Sequence, residues 1–200
     1  MKEPPEQRPQ AEHALQREQR ARDQRCIREV LAGNSDAYRH LVSSYKDRVF
    51  SLTLRMVGDR SVAEELTQEI FVKAYSNLAS FRFEAAVGTW LTRICLNHVN
   101  NYFDSRSYSQ RRSTVPFDPA RHDQTAEESS AAPALLSAFR AALEDIKPCY
   151  RDVLVICVLE DKSYEEASTM LGIPVGTVRS RLNRARQQMK QLLETLLGAP

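Results

Sequence analysis

The stretch Ser163–Met189 reads SYEEASTMLGIPVGTVRSRLNRARQQM and carries the start and stop signals of two consecutive helices. Ser163 stands three residues before the carboxylate of Glu166, which is the pattern of an N-terminal capping box. Gly172 permits the left-handed conformation that ends a helix, and Pro174 favours the start of the next one. The stretch therefore predicts a helix, a tight turn and a second helix.

The second predicted helix combines one apolar stripe with a basic remainder. Apolar residues recur there at spacings of three and four, at Val175, Val178, Leu182, Ala185, Met189 and Leu192. Residues 175–190 also contain five basic residues and no acidic one. Such a helix fits the major groove of DNA, where arginine reaches guanine edges and phosphates. A merely solvated basic helix has the same charge pattern, but the capped helix and the turn before it favour DNA binding.

The same stretch closely resembles region 4 of the extracytoplasmic-function (ECF) sigma factors, the small promoter-specificity subunits of bacterial RNA polymerase. The string GIPVGTVRSRL, followed by RAR, carries the resemblance. It implies that this helix reads the minus-thirty-five promoter element with Arg179, Ser180, Asn183 and Arg184. Ala167 and Ser168 depart from the family pattern, and we expect the Ser168 hydroxyl to bond to the backbone one turn earlier.

Proline and glycine placement predicts the organisation of the whole chain. Residues 11–115 contain no proline and only three glycines, Gly33, Gly58 and Gly88, each at a place where a helix could end. Residues 113–133 have the composition of a flexible linker. The apolar run Val153–Leu159 is expected to be helical, because no partner strand is visible nearby. We predict an all-α protein with two small helical domains, at residues 26–112 and 134–200, after a tail at residues 1–25 that could either extend the first helix or be mobile.

Composition excludes several other classes of protein. The chain has 200 residues, of which 42% are hydrophobic and 27% charged, with a net charge of +2. The longest apolar run is far shorter than the roughly 20 residues needed to span a bilayer, and no secretory signal is visible at the amino end. We therefore expect a cytoplasmic protein. The cysteines, Cys26, Cys95, Cys149 and Cys157, form no metal-ligand pattern with the histidines, so we expect no metal and no cofactor.

A second amphipathic helix is predicted at residues 61–78, which read SVAEELTQEIFVKAYSNL. Its acidic face alone indicates only a solvated surface. The string AEELTQEIFVKAY, however, resembles region 2.2 of the ECF sigma factors, which docks onto the clamp of the largest polymerase subunit. The resemblance implies four residues that bind core polymerase, Glu65, Leu66, Gln68 and Glu69.

Aromatic residues are concentrated just after that helix. The chain has seven Phe, seven Tyr and one Trp, and more than half of these lie at residues 71–108. Arginines are interleaved with them, at Arg82, Arg93, Arg106, Arg111 and Arg112. Rings that stack on bases and cations that meet phosphates together suit single-stranded DNA. Trp90 is the exception, because its helical spacing with Leu91 and Ile94 predicts a place in the core.

The string FRFEAAVGTWLTRICLNHVNNYFDSRSYSQRR resembles regions 2.3 and 2.4 of the ECF sigma factors. These regions melt the minus-ten element and hold an extruded non-template base, at a cost that contacts to that base must offset. The implied residues are Phe81, Arg82, Phe83 and Glu84 in a loop, followed on one helix by Asn97, Asn100, Asn101 and Tyr102. Phe83 stands where the family often has a small residue, and Gly88 stands where an aromatic residue is common.

Together these features predict a two-domain initiation factor that catalyses no reaction. The resemblance implies that its partners are core RNA polymerase, at the clamp and the flap region, promoter DNA and an anti-sigma factor, without membrane insertion. An ordinary DNA-binding regulator with an N-terminal ligand or dimerisation domain would leave the acidic helix and the aromatic cluster without a role. A recombinase-like enzyme would need a nucleophile or a metal-binding carboxylate cluster. Glu64, Glu65 and Glu69 could mimic that cluster, but they lie on the predicted docking helix.

Overall fold

The computed structural model describes residues 8–105 and 131–197, and within these ranges the chain forms helices and no β-strand. The helices are α1 (Arg8–Leu31), α2 (Tyr38–Val57), α3 (Arg60–Ser76), α4 (Val87–Asp104), α5 (Ala131–Asp145), α6 (Pro148–Leu154), α7 (Tyr164–Leu171) and α8 (Val175–Leu197). Short 3-10 turns occur at Ser35–Ala37 and Leu78–Ser80, and α6 continues as a π-helical turn, Val155–Leu159. The predicted all-α fold is confirmed. The apolar run after Pro148 is helical as expected, and its last turn is a π-helical turn, which is wider than a turn of α-helix.

Helices α1 to α4 form the N-terminal bundle. The helices α2, α3 and α4 pack against one another, and α1 packs along α2. Their shared core includes Leu52, Met56, Ile70, Leu96 and Val99, all nearly inaccessible to solvent. Because α1 already begins at residue 8, the described part of the predicted tail does extend the first helix.

The glycines of this bundle have two different roles. Gly58 ends α2 in a left-handed conformation, with φ of 76°, as predicted. Gly88 does not end a helix, because it lies in the first turn of α4 and is buried. A Cβ added there would lie 3.0 Å from Nη1 of Arg48 and 3.3 Å from the ring of Tyr45. The missing side chain therefore gives α2 room to approach α4.

The C-terminal bundle contains the predicted helix, turn and helix as α7, Gly172 and α8. The hydroxyl of Ser163 accepts the N–H of Glu166, whose carboxylate accepts the N–H of Ser163 in return, at 3.1 and 2.9 Å. This backbone hydrogen bond lowers the pKa of Glu166. Gly172 adopts the left-handed conformation, with φ of 66°. The expected bond of Ser168 is wrong, because its hydroxyl donates forward to the Ile173 carbonyl at 2.6 Å and so fastens α7 to the turn.

The stripe predicted on α8 is the centre of this bundle. Val178, Leu182, Ala185 and Met189 are buried. Helices α5, α6 and α7 all pack against α8. Burial of apolar surface contributes about 25 cal/mol per Å² to the free energy of folding. The stripe therefore stabilises the packing of α5, α6 and α7 against α8.

The guanidinium of Arg151, on α6, joins the two bundles. Its residue is only 1% exposed. It donates to three main-chain carbonyls at the end of α5, those of Leu143, Glu144 and Ile146, at 2.6–2.8 Å. It also donates to Oδ1 of Asn100 on α4 at 2.7 Å. A buried cation is tolerated when its donors are satisfied in this way.

Other polar contacts also link the two bundles. Arg93 of α4 donates to the Thr169 carbonyl at 2.6 Å and to the Met170 carbonyl, so the end of α7 rests on α4. Arg55 of α2 donates to the Leu159 carbonyl at 2.6 Å and pairs with Glu160. The two helical bundles are therefore packed directly against each other in this structure.

We expect Arg151→Ala to lower the free energy of unfolding by about 2–4 kcal/mol, because buried carbonyls lose their donors. Arg151→Lys should recover only part of this loss, since an ammonium cannot reproduce the planar fork. Urea denaturation monitored by circular dichroism measures both values. Arg186→Ala, at an exposed arginine of α8, is the control and should change the free energy by less than about 0.5 kcal/mol. Equal stability of Arg151→Ala and the parent would contradict the assigned role.

A second prediction concerns Glu144, whose pKa is raised to about 7 by burial and by the like charge of Asp145. Because the folded state keeps a proton that the unfolded chain loses near its ordinary pKa of 4.5, stability should fall as pH rises from about 4.5 to 7. Glu144→Gln should remove this part of the pH dependence. We expect the stability difference between variant and parent to change by roughly 1–3 kcal/mol between about pH 5 and pH 8. Parallel stability curves would show that Glu144 ionises normally.

Candidate DNA-binding and docking interfaces

The amino-terminal half of α8 presents a polar face to solvent. Arg179, Ser180, Asn183 and Arg184 are all exposed, and they occupy two adjacent turns opposite the buried stripe. The Ser180 hydroxyl donates to the Thr177 carbonyl at 3.1 Å. Arg184 donates to the Tyr150 hydroxyl at 3.4 Å, a long contact that leaves its remaining donors available. The structure therefore brings the four predicted residues together on one accessible, positively charged surface.

The acidic face of α3 is also accessible. Glu65, Gln68 and Glu69 are exposed, at the spacing of one helix face. Two apolar residues continue the same face, because Val72 is 68% and Tyr75 45% exposed. Exposed apolar side chains beside charged ones are a feature of protein docking surfaces. The sequence interpretation missed Val72 and Tyr75, although the position of Val72 four residues beyond Gln68 is the signal that could have found it.

Leu66 lies in different surroundings from the other three residues predicted to bind core polymerase. It was predicted to bind core polymerase together with its neighbours, but its side chain is only 4% exposed and belongs to the core of the N-terminal bundle. The helix turns by about 100° per residue, so Leu66 faces inward while Glu65 faces outward. Leu66 supports the acidic face from below rather than forming part of it.

Glu69 links this face to α4. Its Oε2 lies 2.6 Å from Nε2 of His98, whose other ring nitrogen is buried without a hydrogen-bond partner. His98 is mostly covered, whereas about half of the Glu69 side chain is exposed. The acidic face is therefore attached to the helix that carries the predicted minus-ten residues.

The loop between α3 and α4 is built on stacked rings. The Phe81 ring lies 5.0 Å from the rings of both Phe83 and Trp90, in tilted or edge-on contacts. Phe81, one of the residues predicted to contact DNA, is 8% exposed and forms the floor of the loop. Phe83 and the predicted core residue Trp90 are half-buried, and Arg82 and Glu84 are exposed. The loop thus offers two charged groups and one partly accessible ring.

The residues of α4 that were predicted to contact DNA differ in exposure. Asn97 and Asn101 are exposed one turn apart, and Tyr102 is half-buried against Phe103. Asn100, by contrast, is 7% exposed and lies between the bundles. Its amide donates to Oδ1 of Asp152 at 2.8 Å while its oxygen accepts from Arg151. Because successive residues of a helix are about 100° apart around its axis, Asn100 faces α6 whereas Asn101 faces solvent.

The arginines interleaved with the aromatic residues differ in whether their side chains are available to DNA. Arg93 is half-buried, and its donors are engaged by two carbonyls of α7 rather than left free for phosphates. Arg82 is exposed beside the loop. Arg106, Arg111 and Arg112 lie outside the described residues, as does most of the predicted linker. Within residues 8–105 and 131–197, no group of three or more His, Cys, Asp or Glu side chains could hold a metal ion. In the same ranges, no helix has the length and apolar character needed to cross a membrane.

Comparisons with known proteins agree with this arrangement. The family models for sigma-70 region 2 and sigma-70 region 4 match residues 41–108 and 136–189. The chain is 30% identical over 184 residues to the RNA polymerase sigma-H factor of Pseudomonas aeruginosa, covering 88% of this chain and 95% of that protein. It is 33% identical over 185 residues to the ECF RNA polymerase sigma-E factor of Escherichia coli, covering 88% and 96%. The sigma factor RpoE of Bartonella quintana, solved in complex with the anti-sigma factor NepR, shares the fold, with a TM-score of 0.53 and 22% identity over 78% of this chain and 96% of that one.

Proposed function

The chain belongs to the ECF sigma factors, which bind core RNA polymerase and direct transcription initiation, and we propose that its two helical bundles divide this work. Residues 26–112 form a region 2 domain for core binding and minus-ten recognition, and residues 134–200 form a region 4 domain for the minus-thirty-five element. Residues 113–133 connect the two, after the tail at residues 1–25. The family-model matches lie inside the two proposed domains, which supports this division. The protein acts in the cytoplasm, where the polymerase is, and catalyses no reaction of its own.

The exposed acidic and apolar face of α3 carries the proposal. An ordinary DNA-binding regulator needs a reading helix but has no use for Glu65, Gln68 and Glu69 beside an exposed Val72. Charge complementarity with a basic surface steers association and selects the partner. We assign this face to the clamp of the largest polymerase subunit, with Leu66 as its buried support.

The loop and the exposed part of α4 are assigned to the minus-ten element. Arg82 and Glu84 provide charged groups, and Phe83 provides a ring on which a base can stack. Asn97 and Asn101, with Tyr102, extend this surface along α4. Asn100 reaches DNA only after α6 has moved away, because Arg151 and Asp152 occupy its amide in the packed arrangement.

The face made by Arg179, Ser180, Asn183 and Arg184 is assigned to the minus-thirty-five element. Arginine binds a guanine edge with two parallel hydrogen bonds, and asparagine does the same with adenine. All four side chains are exposed while the bundles are packed together. Recognition of this element therefore does not require the bundles to separate.

We assign the flap region of the polymerase to an apolar groove at the other end of α8. The groove has a volume of about 490 Å³. It is lined by six apolar residues, Phe139, Leu154, Val158, Met189, Leu193 and Leu197, together with Arg186, Lys190 and Glu194. On α8, the groove residues Met189, Leu193 and Leu197 follow the last reading residue, Arg184, by about 7.5 to 20 Å along the helix axis. DNA and a polymerase segment can therefore occupy α8 together. An anti-sigma factor is a further partner, by analogy with the sigma factor of Bartonella quintana.

In vitro transcription with purified core polymerase and a promoter library tests the proposed function. The chain should confer start-site selection on core enzyme that lacks any other sigma factor. Sequencing of the transcripts would yield the promoter consensus in the same experiment. Core enzyme that starts at the same sites with and without the chain would rule the function out.

Charge reversal on α3 tests the docking face. We expect Gln68→Lys with Glu69→Lys to abolish binding to core polymerase, because two cations would face a basic partner. Co-purification and fluorescence anisotropy measure the binding. Glu18→Lys with Asp36→Asn is the matched control, since it changes the net charge equally at exposed residues elsewhere. Normal co-purification of the α3 variant would count against this surface.

Arg179 tests the reading helix. Arg179→Ala should weaken binding of the holoenzyme to the minus-thirty-five element by roughly 1–3 kcal/mol and relax base preference at one position. Arg179→Lys should keep the attraction to phosphates but lose most of this base preference. Competition with single-base variants of the element measures both effects. Unchanged discrimination in either variant would remove Arg179 from the reading face.

A further inference from the structure

Helix α1 contacts the loop that we assign to base capture, although it lies ahead of the region 2 match at residues 41–108. Nη2 of Arg20 donates to the carbonyl of Phe83 at 3.0 Å. The guanidinium carbon of Arg28 lies 5.9 Å from the centroid of the Phe83 ring. These arginines are eight residues apart, so they extend from the same side of α1. One arginine thus holds the peptide of Phe83 and the other covers its ring.

Phe83 is held in a conformation that it would not adopt freely. Its φ is 61°, in the left-handed region that residues with a Cβ rarely occupy. Such a conformation persists only where surrounding contacts determine it. Those contacts come from two sides, with the ring of Phe81 below and the arginines of α1 above.

Helix α1 is itself firmly attached to the rest of the bundle. Asp23 is 5% exposed and accepts hydrogen bonds from Gln19 at 2.8 Å and from the Tyr45 hydroxyl at 2.6 Å. Ile27 is fully buried. Tyr45 reaches this position beside Gly88, where no side chain blocks it. The anchor of α1 therefore adjoins the first turn of α4, where the loop ends.

We propose that Arg20 and Arg28 are positioning residues that set the shape of the Phe81–Glu84 loop and thereby determine which base it accepts. This inference rests on the proposed function, because it assigns a further role at the same minus-ten surface. Moving the Phe83 peptide would displace the Phe83 ring and the neighbouring charges of Arg82 and Glu84. Base discrimination depends on such placement, whereas attraction to phosphates does not. Helix α1, which precedes the region 2 match, thus contributes to base specificity at the minus-ten element.

The test compares Arg20→Ala with Arg28→Ala against a matched pair, Arg22→Ala with Arg25→Ala, in the full chain bound to core polymerase. The control arginines are also exposed on α1, and replacing them removes the same charge. Transcription is measured on four promoters that differ only in the captured base, located beforehand by a scan of the minus-ten element with the parent protein. Opening is followed by fluorescence of 2-aminopurine in the non-template strand, and thermal unfolding reports the fold.

We expect the ratio between the best and the worst base to fall about tenfold in the loop-contacting pair and to stay within about twofold of the parent in the control pair. Arg20→Lys alone should restore part of the ratio, because one donor can still reach the carbonyl. Core binding and the unfolding temperature should change no more in the loop-contacting pair than in the control pair.

Three results would overturn the inference. One is an unchanged ratio in the loop-contacting pair, and another is a parent protein with no base preference at any minus-ten position. The third is an equal loss on all four promoters with a weaker salt dependence, which would identify the arginines as phosphate contacts. Failure of the parent to direct transcription at all would instead contradict the proposed function, so the two failures are distinguishable.

Discussion

The guanidinium of Arg151 is the contact on which the arrangement of the two bundles depends. It satisfies the carbonyls at the end of α5, which would otherwise be buried without donors, and it stacks 4.6 Å from the centroid of the Phe103 ring on α4. Burial lowers the pKa of this guanidinium, and the charges of Asp104 and Asp152 oppose that shift. One side chain therefore caps a helix of the C-terminal bundle and contacts α4 of the N-terminal bundle.

Local features of the fold could be predicted from the sequence because their causes are local. The capping box at Ser163, the left-handed turn at Gly172 and the stripe on α8 each involve residues within a few turns of one another. The same holds for the exposed polar residues of α3 and α8, which helical spacing separates from the buried apolar ones. The family resemblance then supplied the roles that spacing cannot supply.

Contacts between distant parts of the chain could not be predicted in this way. Asn100 and Asn101 are adjacent and identical in chemistry, yet only the position of α6 decides that the first is buried and the second exposed. The sequence indicates a phosphate ligand at Arg93, but in the structure Arg93 binds carbonyls of α7. The sequence indicates no role for Arg20, which in the structure contacts the loop at Phe83. In each case the partner is more than 50 residues away in sequence, and composition contains no information about that approach.

The bond between Glu69 and His98 has a consequence for how the surfaces of this protein communicate. The carboxylate belongs to the face assigned to polymerase, and the imidazole belongs to the helix assigned to melted DNA. A partner that engages Glu69 competes with His98 for the same oxygen atoms, so it alters the free energy of α4 as well as that of α3. Thermodynamic linkage makes any such coupling reciprocal: to the extent that polymerase adjusts this helix for DNA, DNA on the helix adjusts the affinity for polymerase by the same factor.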